Sequence, residues 1–318
     1  MLLTHDESTG DLMILAEQED EGCMIKDLIK RQTGMSRPVL REILEQGGVT
    51  RNGEFCYLTN RVQAGDRIRI SFPRDEMLKV EPEPIPFSIL YEDPYLVVID
   101  KTSGIVVHPT KNYPNGTLAN GLAHHYERQG CQYKIRPVHR LDRDTSGAIV
   151  FAKTHFVHQT LSKEIKQHKM QRYYFAVAYG RLADDKGSIN APIGRDESHT
   201  TRRMVDDLHG KPSVTHFQVR ERFGEWATAV SLQLETGRTH QIRVHFASIG
   251  HPLLGDALYG TEQSLKFSKQ FGAMRQALHA ATLRFTHPVT KQTMCFESNL
   301  PEDLRKLLDQ LKEFNSNS

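Results

Sequence analysis

Long apolar runs are missing from this sequence: the longest are a handful of residues, such as 95–99. A membrane-spanning helix needs about 20 consecutive apolar residues, so no segment is expected to cross a bilayer. Cysteine is scarce, with Cys23, Cys56, Cys131 and Cys295 scattered and no C-x-x-C among them. That pattern excludes a disulfide scaffold and a cysteine-built metal site, and it fits a protein of the reducing cytoplasm. The first residues lack the basic-then-apolar layout of a secretory signal. Charge of one sign is also missing: 41 Lys+Arg against 39 Asp+Glu leaves a net +2, which excludes a histone-like polycation. The sequence has no G-x-G-x-x-G, no phosphate-binding G-x-x-x-x-G-K-[ST] and no G-x-S-x-G. Its 16 histidines offer no metal pattern. His240 and His245 are five apart, and neither the i,i+3 nor the i,i+4 spacing that aligns two ligands on a helix is met. No metal and no cofactor are expected.

What is present is unevenly spread. Residues 1–20 carry six acids and no Lys or Arg, whereas 26–41 carry Lys26, Lys30, Arg31, Arg37 and Arg41 against Asp27 alone. Within that basic stretch Met24, Ile25, Leu28 and Ile29, then Val39, Leu40, Ile43 and Leu44, recur at helical spacing. Gly34 is placed to end the first helix, Ser36 to cap the second, and Pro38 is tolerated in its first turn. Asn52-Gly53 is a hairpin turn signal, and 65–70 alternates like a strand. With this order of parts, residues 16–72 resemble the S4 RNA-binding module. The resemblance implies that Lys26, Lys30, Arg37 and Arg41 face structured RNA. A basic helical face is otherwise a solvated surface, and the segment itself could be a packing or dimerisation appendage. Pro73, Pro82, Pro84 and Pro86, interrupted by charges, read as a linker over 73–87 after an acidic leader at 1–15.

Beyond residue 88 the chain of 318 residues is long enough for a second, larger domain, read as 88–300 with a closing helix and tail at 301–318. Strand candidates are 96–99, 105–107, 148–152, 173–179, 217–219, 229–234 and 283–285; helical patterns occupy 155–168, 239–249 and 304–311. Strands dominate and helices do not alternate with them. The expected class is therefore α+β, a mainly antiparallel mixed sheet preceded by a small α/β module.

Two polar stretches stand out. The first is R-P-V-H-R-L-D-R-D-T-S-G at 136–147, whose composition alone also suits a structural turn. The second is L-E-T-G-R-T-H-Q-I-R-V-H at 234–245, where Thr239 is placed to cap a helix and Arg238 sits at its start. A cation there opposes the helix macrodipole, so an acidic partner from elsewhere is expected. Together with I-G-H-P-L-L-G-D at 249–256, these stretches closely resemble the RluA-type pseudouridine synthases. With the S4-like part in front, the chain resembles the branch acting on large-subunit rRNA. The resemblance runs over about residues 16–300.

The resemblance implies an isomerase that converts uridine in RNA to pseudouridine without cofactor. Asp142 would be the catalytic carboxylate, acting as nucleophile at the sugar or as base at its 2′ carbon. Arg238 would pair with it. Tyr174, with Tyr173 as the register alternative, would pack under the uracil and assist at C5. Arg140 would fill the place of the flipped nucleotide, Ile242 would contact the base, and His139 and Thr145 would complete the substrate site. D-K-T-S-G at 100–104 departs from the family's N-K-P-x-G, and Arg172 replaces a usual Lys; activity is expected to survive both. The expected partner is RNA, rRNA or alternatively tRNA, for a monomer with no membrane contact. A non-catalytic ribosome-assembly factor on the same fold is the competing reading.

Overall fold

In the computed structural model, which describes residues 3–6, 10–72, 80–131 and 133–316, alternating apolar residues build a five-stranded antiparallel sheet from the first 72 positions. Its strands are β1 (Leu3–His5), β2 (Leu12–Leu15), β3 (Val49–Arg51), β4 (Glu54–Phe55) and β5 (Arg67–Ile70), in the order β1-β2-β5-β3-β4. Helices α1 (Ile25–Thr33) and α2 (Arg37–Glu45) join the strands between β2 and β3. Leu12, Ile14, Val49, Ile68 and Ile70 share one core with Leu28, Ile29, Val39, Leu40 and Ile43. Gly34 ends α1 in the left-handed conformation (φ 74°). Asn52 (φ 54°) and Gly53 (φ 90°) make the β3–β4 turn that this dipeptide favours.

The acidic stretch read as a leader at 1–15 instead supplies β1 and β2 of this sheet. Its acids serve as internal partners: buried Asp11 accepts from Arg69 Nε at 2.7 Å, and Asp20, further on, pairs with Arg31. Ser36 stands at the start of α2, but its hydroxyl bonds Gln159 Oε1 at 2.9 Å rather than capping the helix.

Of the expected linker, Pro73, Arg74, Asp75 and Glu76 lie outside the described residues. Residues 80–87 are extended and packed: Glu83 N–H reaches Asn120 O at 3.1 Å, and Val80 is buried. There follow β6 (Ser88–Glu92), β7 (Leu96–Lys101), α3 (Leu118–Arg128), β8 (Arg136–Pro137), β9 (Ser146–Ala152) and α4 (His155–Lys166). Next come β10 (Gln171–Tyr179), β11 (Lys186–Asn190), β12 (Ile193–Arg195), β13 (Arg203–Val205), β14 (Val214–Phe223) and β15 (Ala227–Leu234). The chain closes with α5 (Gln241–Ser248), α6 (Glu262–Gln270), β16 (Leu278–Thr286), β17 (Thr293–Glu297) and α7 (Glu302–Ser316).

Ten of these strands form one sheet, with spine β11-β14-β15-β10-β16-β9-β7-β6, β17 on β16 and β8 on β9. Every pairing is antiparallel except β9–β16, which meet in parallel at Ser146 and Ala280's neighbour His279, and at Gly147 and Ala280. The α+β class and the antiparallel-rich mixed sheet expected from sequence are what the chain forms.

Two sequence expectations differ. Residues 105–107 are not a strand: the carbonyls of Val106 and Val107 accept the N–H groups of Leu118 and Ala119 (2.8 and 3.0 Å), satisfying the start of α3. Helices α3 and α6 were not expected. The glycine inside α3 masks its pattern, yet Gly121 admits the carbonyl of Ile85, which a Cβ would approach to 2.9 Å.

The smaller sheet's core is continuous with the larger domain's. Phe72 stacks on Phe156 (5.8 Å, 12°), and Glu42 Oε2 lies 2.8 Å from His155 Nδ1.

Candidate active site

The loop between β8 and β9 carries Asp142, and its shape follows from where β9 must go. Gly147 has φ 115°, and a Cβ there would stand 2.2 Å from Ala280 O, so only glycine lets β9 approach β16 at this point. Opposite that junction β10 and β16 slip register between Tyr173 and Phe175, at Tyr174. Such irregularities re-aim side chains beside functional sites.

The loop is clamped from below by Lys101, at the end of β7. Lys101 is 1 % exposed, and its Nζ donates to the carbonyls of Thr102, Arg143 and Thr145, each at 2.8 Å. Gly104 N–H bonds Arg143 O (2.9 Å), and Thr145 N–H bonds Asp142 O (3.1 Å). Asp142 is thus presented on a loop whose following residues are held by one ammonium. Burial pulls Lys101 down to about 7, against the raising pull of Asp144 and Asp142. The free side chain titrates near 10.5, so above about 7 the unfolded chain binds the proton that the folded chain has lost. Stability therefore rises with pH across that interval, by about 1 kcal/mol per unit near its middle. Lys101→Met should remove that slope in urea titrations. It should also lower stability by about 2–4 kcal/mol, because three loop carbonyls lose their donor.

The cation that reaches Asp142 is Arg243, in the first turn of α5. Its Nη1 donates to Asp142 Oδ2 at 3.1 Å, while Nε and Nη2 grip Asp256 Oδ2 and Oδ1 at 2.7 and 2.8 Å. Asp256 is fully buried and Arg243 8 % exposed, whereas the Asp142 side chain retains 22 % exposure. The guanidinium also lies over the Tyr259 ring, 5.0 Å from its centroid. Burial alone would lower the Arg243 pKa, but Asp256 and Asp142 outweigh it and hold the guanidinium charged.

Arg238 does not make this pairing. It is exposed in the loop before α5 and donates from Nε to Pro212 O at 3.2 Å. The phase of the helix explains the difference. α5 begins at Gln241, not Thr239, behind His240 in the left-handed conformation (φ 59°). The acidic partner expected for a cation at this helix start exists, but it belongs to Arg243.

These elements enclose a cavity of about 430 Å³, large enough for a nucleotide. Every residue assigned from sequence to catalysis or substrate in the larger domain lines it: His139, Arg140, Asp142, Thr145, Tyr174, Arg238 and Ile242. Tyr174 faces it from β10, whereas Tyr173 points to the other side of the strand. Burial raises the Tyr174 pKa, with Arg172 opposing, so the phenol stays protonated at neutral pH. His139 is buried with no partner among the described residues for either ring nitrogen, and burial, helped by Arg172, holds it down at about 3. It is a neutral imidazole. Ile242 is buried in the cavity wall, and Arg140 is exposed at the rim.

Arg243, Asp256 and Lys101 were missed as site residues. A signal existed for Arg243: it stands between Ile242 and Val244 in a run buried from Gln241 to Phe246, where a cation requires a carboxylate. The four basic residues assigned to RNA lie apart on α1 and α2. Lys30, Arg37 and Arg41 are exposed and Lys26 is partly covered, with Arg41 bonded to Glu45 at 2.8 Å. Among the described residues no cluster of three or more His, Cys, Asp or Glu could hold a metal, and no helix is long and apolar enough to cross a membrane.

The site thus brings together a carboxylate on a clamped loop, a buried arginine against it and a cavity of nucleotide size lined by a protonated tyrosine. Comparisons with known proteins place the chain. The sequence profile of the family described as "RNA pseudouridylate synthase" matches residues 95–248. An "Uncharacterized RNA pseudouridine synthase YhcT" of Bacillus subtilis is 42 % identical over 297 residues, covering 93 % of this chain and 96 % of that protein. A "Ribosomal large subunit pseudouridine synthase D" of Vibrio parahaemolyticus is 40 % identical over 286 residues, covering 87 % of each. The solved structure of human RNA pseudouridylate synthase domain containing 1 superposes with a TM-score of 0.56 at 26 % identity, covering 75 % of this chain and 98 % of that one. The chain belongs to the RluA-type RNA pseudouridine synthase family, and it is an isomerase.

Proposed function

We propose that this isomerase converts uridines of large-subunit rRNA to pseudouridine, with Asp142 as the reacting carboxylate and the target base flipped into the cavity. The observation that carries this reading is the Asp142–Arg243–Asp256 chain at the cavity wall. Arg243 is fixed by Asp256, so it offers Asp142 one hydrogen bond and a full positive charge without moving. Both routes, attack on the sugar and removal of its 2′ proton, use a carboxylate held in a fixed position, and the Arg243 hydrogen bond fixes Asp142. Among the described residues the side-chain partner of Asp142 is Arg243, through Oδ2, and Asp142 lines the cavity.

The uridine must leave its stack to reach Asp142, at a cost of a few kcal/mol. Exposed Arg140, two residues away, offers a planar guanidinium to occupy the vacated place. Buried Tyr174 and Ile242 then sandwich the base. A protonated Tyr174 offers the base a packing surface and a hydrogen-bond donor. The large-subunit target is favoured by relatives bearing that name and by the S4-like layout of residues 16–72.

Incubation of the purified protein with C5-tritiated large-subunit rRNA transcripts should release tritium as the uracil is reattached through C5. Release from tRNA alone would move the target, and release from neither would defeat the reading. Affinity for the transcript should also fall with added salt. Replacing Lys26, Lys30, Arg37 and Arg41 by Ala should flatten that dependence by up to about 3 units of log–log slope. An unchanged slope would remove these residues from the RNA surface.

A further inference from the structure

Helices α1 and α2 share a core with one face of the five-stranded sheet, and the other face carries the exposed side chains of Leu15, Phe55, Arg67 and Arg69. In β5 the inward Ile68 and Ile70 alternate with outward Arg67 and Arg69. Register then fixes the rest of the outward face, because residues directly opposed across a sheet project to the same side. Arg69 is paired with Met13 on one flank and Thr50 on the other, and Thr50 is paired with Phe55. Arg67 is paired with Leu15. Phe55 is 56 % exposed, and Tyr57, just beyond β4, is 63 % exposed and sets its ring edge-on to Phe55 at 5.2 Å.

We propose that this sheet face is a stacking platform for single-stranded RNA. The proposal rests on the reading of the chain as an RNA isomerase and adds a second contact surface to it, distinct from the basic helices.

Three features select RNA as the occupant. Exposed aromatic rings beside arginines match what single strands require, since every base has a π-face and every linkage a negative charge. The charge is arranged accordingly: Arg61 and Arg67 are exposed, while Asp11, paired with Arg69, and Asp66 are buried and already hydrogen-bonded. Finally, the aromatic pair is held in place rather than adaptable. The Tyr57 backbone N–H is fixed by Asn60 Oδ1 at 2.6 Å, and Phe55 sits on the tight Asn52-Gly53 turn. A preorganised aromatic pair loses little freedom on stacking.

The contacts with the larger domain come from α2, from Phe72 and from the β1–β2 turn, through Ser36, Glu42, the Phe72–Phe156 stack and the close approach of Gly10 to Pro94. Neither β4 nor the Tyr57 loop takes part in these bonds.

The test uses the full chain and a fluorescein-labelled ten-nucleotide oligo(A), which has no uridine to isomerise. Phe55→Ala with Tyr57→Ala should weaken binding about tenfold or more, because a lost base–aromatic stack costs about that much. Phe55→Trp should keep wild-type affinity, and Tyr57 fluorescence should be quenched by the oligonucleotide in the wild type. On a long rRNA transcript the double alanine variant should raise KM with kcat unchanged. Unchanged oligo(A) affinity in the double variant overturns the proposal, as does a defect confined to binding a ribosomal protein, which would make this a protein-docking face. Tritium release from the long transcript separates the two readings: if it persists while oligo(A) binding is indifferent to these substitutions, the platform fails and the isomerase stands.

Discussion

Asp142→Asn should reduce tritium release from C5-tritiated transcripts by at least about ten-thousand-fold while leaving the Kd for the same RNA within about threefold. The substitution is nearly isosteric, and its amide oxygen can still accept from Arg243 Nη1, which now sits 3.1 Å from Oδ2. The loop is held by Lys101 through backbone carbonyls and not through the Asp142 side chain, so its shape should persist. What disappears is the negative charge that the proposed reaction uses to attack the sugar or accept its proton. Retained activity within tenfold would remove Asp142 from the chemistry.

Arg243→Ala carries the second large effect, and it should act twice. Asp256 is fully buried and takes two of its hydrogen bonds from this guanidinium. Removing one partner of a buried pair strands a charge, at about 3–5 kcal/mol of stability. The same change strips Asp142 of its cation, so kcat should fall by at least about 100-fold in the protein that remains folded. Arg243→Lys should recover some stability but little activity, because an ammonium cannot bridge two carboxylates in the planar fork geometry. Arg238→Ala, by contrast, removes an exposed side chain bonded to one backbone carbonyl. It should leave the melting temperature within about 2 °C of wild type. Differential scanning calorimetry and single-turnover kinetics on the three variants separate these outcomes. Equal losses for Arg238 and Arg243 would contradict the assignment of the pair.

Much of this site was legible because its residues are close together in sequence. The stretch at 139–145 delivers His139, Arg140, Asp142 and Thr145 on one loop, and Tyr174 and Ile242 follow from the motifs around them; the fold brings all of them to one cavity. The partner of Asp142 was not legible. Choosing between Arg238 and Arg243 depends on where α5 begins, and the positive φ of His240 shifts that start by two residues from the Thr239 expected to cap it. Asp256 lies 13 residues beyond Arg243, and only the folded chain brings the two together.

The same contrast holds for the fold. Local signals such as Gly34 and Asn52-Gly53 specify their turns without help, because a left-handed backbone is a property of the residue itself. The first strands were hidden because acids signal solvent, and Asp11 is instead folded inward against Arg69. Lys101 was hidden for the opposite reason: a lysine at a strand end reads as surface, and three converging carbonyls draw it inside.

The most direct test of Asp142 as the reacting group of an rRNA isomerase is pseudouridine mapping across large-subunit rRNA in cells lacking this protein. The deletion should lose pseudouridine at one or more large-subunit positions. Wild-type protein should restore them, and Asp142→Asn expressed at the same level should not. Restoration of the same positions by Asp142→Asn, or no lost position in the deletion, would contradict it.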